Sequence, residues 1–415
     1  MNELDRSAAE LDAQHPGRRD EFIVPPDHSP SPFDEVAYFA GNSLGLQPRV
    51  AAPAVEQELA DWANLAVEGH FEAKHQWHTY HEHMRADLAH IVGAKPSEVV
   101  AMNTLTVNLH MLMAAFYRPN PQRYKILIED KVFSSDSYAV RSQAKWHGLD
   151  PDDTVIRLKP RPGEDCLRTE DIINVINTND IALSICSAVG YLTGELLDLP
   201  EITKAAKNSG AVVGWDLAHA AGNVPLDLHG IDADFAAWCN YKYLNSGPGA
   251  IAGAFIHERH HTRTDLTRLE GWWSTKVETR FEMSPVADPP ADADAWAVSN
   301  PPILAFAPVR VSAAMFAESG MPALRAHSEL LTGFLDDALR DVGAEIVTPH
   351  DPAKRGAQLS VRVNDASATV KRLRAEHGVI ADARKPDIIR LAPTPMYSTF
   401  ADCARAVTAI AQEVH

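Results

Sequence analysis

The chain has 415 residues, of which 45% are hydrophobic, and a formal net charge of −18. That length exceeds a single hydrophobic core and predicts two domains, while the acidic balance argues against nucleic acid or an anionic membrane as partner. The four cysteines (Cys166, Cys186, Cys239, Cys403) are scattered without a CxxC pair, as expected of reduced thiols in a cytoplasmic protein; no apolar run approaches membrane-spanning length, and the polar N-terminus lacks a signal-peptide core.

Ser7 to Gln14 reads as a short helix, followed by the Pro-rich connection IVPPDHSPSPF. FAGNSLG (Phe39–Gly45) places two glycines around Asn42 and Ser43, a turn that brings backbone close to a ligand or a neighbouring segment. Val55 to Val67 has helical spacing of Leu59, Trp62 and Leu65. The next stretch, EGHFEAKHQWHTYHEHM, is dense in histidine. Its HEH triplet does not put two ligands on one helix face and no HExxH occurs, so a polar helix surface is expected and no metal site.

Pro96–Glu98 reads as a helix start, VVAMN as a short strand, and Thr104 to Phe116 as an apolar helix. Hydroxyls and free amides at that helix start suit a phosphate, with Thr106 and the Leu105 backbone as candidate ligands; a plain threonine cap is the alternative. YKILIE (Tyr124–Glu129) is a strand that runs into Phe133, Ser134, Ser135 and Asp136. TVIRL, a helix over Thr169–Asn177, the strand IALSIC ending at Ser187, and a helix over Glu201–Asn208 follow. Strand and helix alternate through this region, the pattern of a mostly parallel sheet with helical crossovers. Neither GxGxxG nor a P-loop occurs, which counts against dinucleotide and ATP chemistry.

The most informative stretch is Ala211 to Phe255. AVVGW reads as a buried strand with Asp216 at its carboxyl end, where open α/β sheets place ligands. ADFAAWC is a second strand running into Asn240, Tyr241, Lys242 and Tyr243, and AIAGAF is a third. A lysine amine shielded from water can form a Schiff base with a cofactor aldehyde, and a carboxylate facing a pyridine nitrogen keeps it protonated. Asp216 and Lys242 could supply those contacts of pyridoxal 5′-phosphate; a helix-capping aspartate and a solvated loop lysine are the plainer reading of the same residues. IHERHHTRTDLTRLE is expected to be charged and solvated, and helices are expected over Ile303–Glu318, Ala323–Val342, Ala366–His377 and Phe400–Val414. Ala344–Thr348, Ala357–Asn364 and Ile388–Ala392 read as strands, so the C-terminal part is an α+β unit.

WDLAHAAGNVPLDLHGIDADFAAWCNYKYLNSGPGAIAGAFIHERH resembles the core of the kynureninase family, and YFAGNSLGLQP, MNTLTVNLH, VSNPPIL and IRLAPTPMYSTF extend the resemblance from about Tyr38 to about Phe400. It implies an α/β fold of the fold-type-I pyridoxal-phosphate class, with a mostly parallel central sheet, helices on both faces, and a smaller α+β C-terminal domain. The expected division is an N-terminal segment (1–50), a cofactor-binding domain (51–302) and a small domain (303–415).

The resemblance implies pyridoxal 5′-phosphate as cofactor, held by Leu105, Thr106, Phe133, Ser134, Ser135, Asp136, Ser187, Asp216, His219, Tyr241, Lys242, Trp272 and Asn300. Lys242, Tyr241 and Asp216 carry the catalytic roles, with His219 orienting Asp216. His70, Ser299, Asn300 and Arg390 form the substrate set, with Arg390 on an α-carboxylate. Ser134 stands where family members often carry proline. The implied reaction is hydrolysis of kynurenine to anthranilate and alanine in tryptophan catabolism. A ring hydroxyl, as in 3-hydroxykynurenine, could be bonded by His70, Ser299 and Asn300. The implied assembly is a homodimer with Trp272 reaching across the interface. A cysteine desulfurase or aminotransferase is the nearest alternative and a non-catalytic cofactor-binding protein a remoter one. Cys239 in a strand and Cys403 in a helix suit a desulfurase poorly.

Overall fold

The computed structural model describes residues 3–413, so the expected helix end at Val414 lies outside the described residues. A seven-stranded sheet is built from β1 (Val99–Ala101), β2 (Lys125–Glu129), β3 (Val155–Leu158), β4 (Ile181–Ser187), β5 (Val212–Asp216), β6 (Phe235–Trp238) and β7 (Gly253–Ile256). The order across the sheet is β1-β7-β6-β5-β4-β2-β3. Only β7 runs antiparallel to its neighbours, which are β1 and β6. The other pairs are parallel.

Side-chain alternation explains why both faces are covered. Ile126 and Ile128 pack with Leu112 and Phe116 on one face, whereas Leu127 joins Val213 and Trp215 on the other. The helices Leu105–Phe116 and Ser134–Trp146 pack on each other, as do Thr169–Thr178 and Leu199–Asn208. β4, buried along its whole length, lies inside the sheet, and its residues are apolar apart from Ser184 and the terminal Ser187.

A second, antiparallel sheet comprises β8 (Glu345–Ile346), β9 (Leu359–Arg362), β10 (Asp382–Arg384) and β11 (Ile388–Leu391), in the order β8-β9-β11-β10. Its core joins Leu335, Leu339, Val361, Ile389, Leu391 and Val407. The N-terminal helix Glu3–Gln14 packs on Phe400–Ile410, and Ala37–Tyr38 pairs in parallel with Val379–Ile380. The helix Ile303–Ser319 packs on Ala51–Leu65 and Arg85–Val92, and Met321–Asp341 packs on Phe400–Ile410. Among the described residues no single helix is long and apolar enough to cross a membrane.

Two local expectations are corrected. His81 is buried rather than on a polar surface, because Asp294 offers its imidazole a carboxylate at 3.1 Å. His257, His260 and His261 are buried too, so IHERHH is not a solvated run. The buried carboxylate of Asp234 bonds His260 at 2.8 Å and Arg259 at 2.5 Å, which draws the segment against the sheet.

The turn Phe39–Gly45 is pinned to the lysine loop. The Gly45 amide donates to the Tyr241 carbonyl at 2.9 Å, and a Cβ on Gly45 would collide with the Lys242 carbonyl and the Asn245 side chain. We predict that Gly45→Ala lowers stability by about 1–3 kcal/mol through this overpacking. Gly333 is the control: it lies within the helix Met321–Asp341 with nothing within 4 Å of an added Cβ. There alanine should raise stability by about 0.5–1 kcal/mol. Thermal unfolding of the two variants measures both, and opposite signs are expected.

Candidate active site

The carboxyl ends of the parallel strands converge on one cavity of about 300 Å³. Asn42, Ser43, Thr104, Leu105, Thr106, Phe133, Ser135, Ser187, Tyr191, Asp216, Ala218, His219, Tyr241, Lys242 and Arg384 line it. Asp216 is the last residue of β5, Ser187 the last of β4, and Tyr241–Lys242 follow β6 after a short turn. This is the edge where parallel α/β sheets build their sites.

Two helices begin at this cavity. Thr104 caps Leu105–Phe116 and Phe133 caps Ser134–Trp146, and neither side chain makes a capping bond, although the Asp136 amide bonds back to the Phe133 carbonyl at 3.0 Å. The Thr106 and Ser135 hydroxyls, one from each first turn, lie 2.6 Å apart. Two helix N-termini and two hydroxyls make a strong anion site. The first helix is expected from its apolar sequence, whereas the second is not, because its polar first turn, SSDS, carries no apolar stripe.

At the other end of the cavity lies an acid pair. Asp136 and Asp216 are both buried and share a hydrogen bond. Burial pushes the Asp136 carboxyl well above its ordinary range, helped by the charge of Asp216. Burial raises Asp216 as well, against the pull of its bond to Asp136 and the Lys242 charge. The Ala218 amide donates to Asp216 at 2.8 Å, which fixes the carboxylate. The Lys242 amine lies 3.2 Å from His219 Nε2 and 5.9 Å from the centroid of the Phe133 ring. Burial and the positive charge of Lys242 hold His219 well below its usual range, so its imidazole is neutral. His219 therefore meets Lys242, a correction to its expected role on Asp216, whose carboxylate is bonded by Ala218 and Asp136.

The remaining candidates fall elsewhere. Ser134 opens its helix without lining the cavity. Arg390 is fully buried behind the wall, donating to the Tyr191 carbonyl at 2.7 Å and to Asp382. His70 packs edge-on against Trp77 at 5.6 Å. Trp272 is half-exposed and donates to the Arg280 carbonyl at 3.3 Å, and Ser299 and Asn300 are exposed. His70, Phe71, Phe281 and Trp272 form one chain of neighbouring rings on the surface. Tyr191 and Arg384 line the cavity and were not anticipated. Arg384 lies on β10, a three-residue strand with no apolar signal.

Behind Ser187 lies Glu129, the last residue of β2. Its Oε1 accepts the Ser187 amide at 2.6 Å and its Oε2 is buried without a partner. Burial pushes this carboxyl up from 4.5 to about 7, with the Asp216 charge adding to the rise. Its folded value lies above its unfolded one, so the folded state holds the extra proton between those two values. Stability from this group is therefore lost as pH climbs from about 4.5 to about 7. In cofactor-free protein, Glu129→Gln should gain in melting temperature relative to wild type on going from pH 5 to pH 8. A difference that stays constant or shrinks would contradict the assignment.

Comparison with known proteins agrees with this geometry. The model of the kynureninase C-terminal domain matches residues 324–410. A kynureninase of Salinispora tropica is 57% identical over 99% of this chain and 98% of its own length. One of Myxococcus xanthus is 51% identical over 96% and 95%. Among solved structures, a cysteine desulfurase of Thermococcus onnurineus superposes with a TM-score of 0.77 at 17% identity, covering 91% of this chain and 94% of its own. The cystine C–S lyase C-DES gives 0.77 at 18% identity, covering 92% and 98%. These two likenesses establish the fold, that of fold-type-I enzymes, and the sequence relatives establish more: the chain belongs to the kynureninase family.

Proposed function

We propose that the protein is a pyridoxal-5′-phosphate-dependent hydrolase that splits the Cβ–Cγ bond of L-kynurenine or its 3-hydroxy form, giving anthranilate or 3-hydroxyanthranilate plus L-alanine. The observation that carries this reading is the Lys242 amine in one cavity with Asp216, itself backed by the buried Asp136, in a chain of this family.

The residues fit the cofactor. An acid pair out of water needs a cationic partner, and a protonated pyridine nitrogen is one. His219 Nδ1 and Asp136 Oδ1 are buried with no partner, and the two helix starts await an anion. In this reading Lys242 carries the cofactor, Asp216 backed by Asp136 faces its ring nitrogen, and Phe133 covers the ring. Leu105, Thr106, Ser135 and Tyr241 hold the phosphate, Ser134 contributes only by opening the second helix, and Ser187 and His219 complete the wall.

When bound, the cofactor supplies a sink for the electron pair left at the substrate's α carbon. With the cofactor bound, the amine of Lys242 would remove the α proton and hold it beside the cavity. Asp216 stays ionised opposite the ring nitrogen. Tyr241, whose hydroxyl is raised by burial and so keeps its proton, donates to the γ carbonyl oxygen as water adds there. The Cβ–Cγ bond then breaks, the aromatic acid leaves, the β carbon takes a proton to become the methyl group of alanine, and Lys242 returns the α proton to the α carbon. Arg390 supplies positive charge for the substrate's carboxylate.

A homodimer with the site at the subunit interface belongs to this reading. Its support is that Trp272, Asn300, Ser299 and His70 lie outside this chain's cavity, with Trp272 and His70 joined by exposed rings. A second copy would receive them. The small-molecule substrate excludes any need for nucleic acid or membrane. A reducing, cytoplasmic setting is part of the reading, supported by four free cysteines.

Wild-type protein given pyridoxal phosphate and L-kynurenine should release fluorescent anthranilate, and Lys242→Ala should release none above background. If wild type acts on neither kynurenine nor 3-hydroxykynurenine, the substrate assignment fails. Unfolding and refolding Lys242→Ala together with Trp272→Ala tests the shared site. Random pairing should restore about a quarter of wild-type activity, whereas no recovery would place Trp272 outside the partner's site.

A further inference from the structure

Arg384 faces the cavity from β10, the edge strand of the second sheet. Arg390 sits on the neighbouring strand β11, directly opposite Asp382 in the ladder. The Asp382 carboxylate accepts from both: Arg384 Nη2 at 3.1 Å, and Arg390 Nη2 more closely. Both guanidinium groups lie 5.9 Å from the Tyr191 ring, on the wall of the same cavity.

The two arginines are not equivalent. Arg390 is fully buried, and both of its terminal nitrogens are engaged, one by the Tyr191 carbonyl and one by Asp382. The Arg384 side chain keeps 31% of its surface exposed. Its Nη1 has only a long bond of 3.4 Å to the Ala383 carbonyl, and its Nε, like that of Arg390, is buried without a partner. Unused donors on a planar fork at a cavity wall suit a carboxylate. The positive field of both arginines reaches His219, beside Lys242, so an amino acid whose amine meets Lys242 has its carboxylate drawn to this side.

We propose that Arg384 contacts the α-carboxylate of the amino-acid substrate, and that Asp382 is a positioning residue that holds Arg384 and Arg390 side by side as one cationic wall. This rests on the amino-acid-cleaving reading of the site and extends it to a residue beyond Arg390.

The test uses binding, independent of turnover. Holoenzyme is titrated with L-alanine and with L-alaninol, which lacks the carboxylate, and the shift in visible absorption of the bound cofactor is followed. Arg384→Gln should raise the Kd for L-alanine about 10- to 100-fold and leave that for L-alaninol within about twofold. Arg384→Lys should recover part of the loss, because charge persists while the fork is gone. Asp382→Asn should weaken L-alanine binding less than Arg384→Gln, again sparing L-alaninol. The absorption of each variant before ligand is added reports an intact cofactor site. Equal changes for the two ligands, or no change for L-alanine, would overturn the proposal. Release by the wild type of anthranilate from kynurenine, or of 3-hydroxyanthranilate from 3-hydroxykynurenine, is assayed alongside. Its absence would sink the substrate assignment, while the alanine titration still decides the role of Arg384.

Discussion

Asp136 and Asp216 share a hydrogen bond out of reach of water, at the carboxyl edge of a parallel sheet. Burial drives such a pair toward protonation, and a fold keeps one only where something returns the favour. Here the surroundings are arranged for a cationic ring. Lys242 stands across the cavity, His219 is held neutral beside it, and Phe133 offers an aromatic face. The opposite end is built from two helix starts and paired hydroxyls, which want an anion. A molecule with a protonatable ring at one end and a phosphate at the other satisfies both ends at once.

That constraint also explains how the distant parts of the chain are used. The parallel strands deliver Ser187, Asp216 and Tyr241–Lys242 to one edge because each ends there. The N-terminal turn closes over the lysine loop, through the Gly45 amide and the Asn42 bond to Gln358 at 2.7 Å. The second sheet brings the arginines. The site is thus assembled from three regions, and the stability of each contributes to its geometry.

Much of this was legible in the sequence. The short apolar runs with polar residues at their ends announced the parallel strands, and Asp216 and Lys242 stand where such runs stop. The second helix start at Ser134 was not legible, because SSDS reads as a loop until its amides are seen to close a helix. Arg384 was hidden for a similar reason: ADARKPD is polar and short, and only ladder pairing with β11 makes it a strand. The burial of His81 and of His260 depends on Asp294 and Asp234, partners no local pattern names. His70, Trp272, Ser299 and Asn300 follow from family resemblance alone, and this chain's own cavity does not gather them.

The solved structures that superpose on this chain, a cysteine desulfurase and a cystine lyase, show how widely one fold is used. A desulfurase needs an accessible thiol at its cofactor. Here Cys186, Cys239 and Cys403 are buried, burial pushes the Cys166 thiol up to about 12, and no cysteine lines the cavity. In the proposed reading the chemistry comes instead from the lysine, the acids and water. The most direct measurement is to load the protein with pyridoxal phosphate, reduce it with borohydride, digest it, and map the modified peptide by mass spectrometry. The account predicts a single reduced-cofactor label, on Lys242. A label on another lysine, or none on a protein that binds the cofactor, would contradict it.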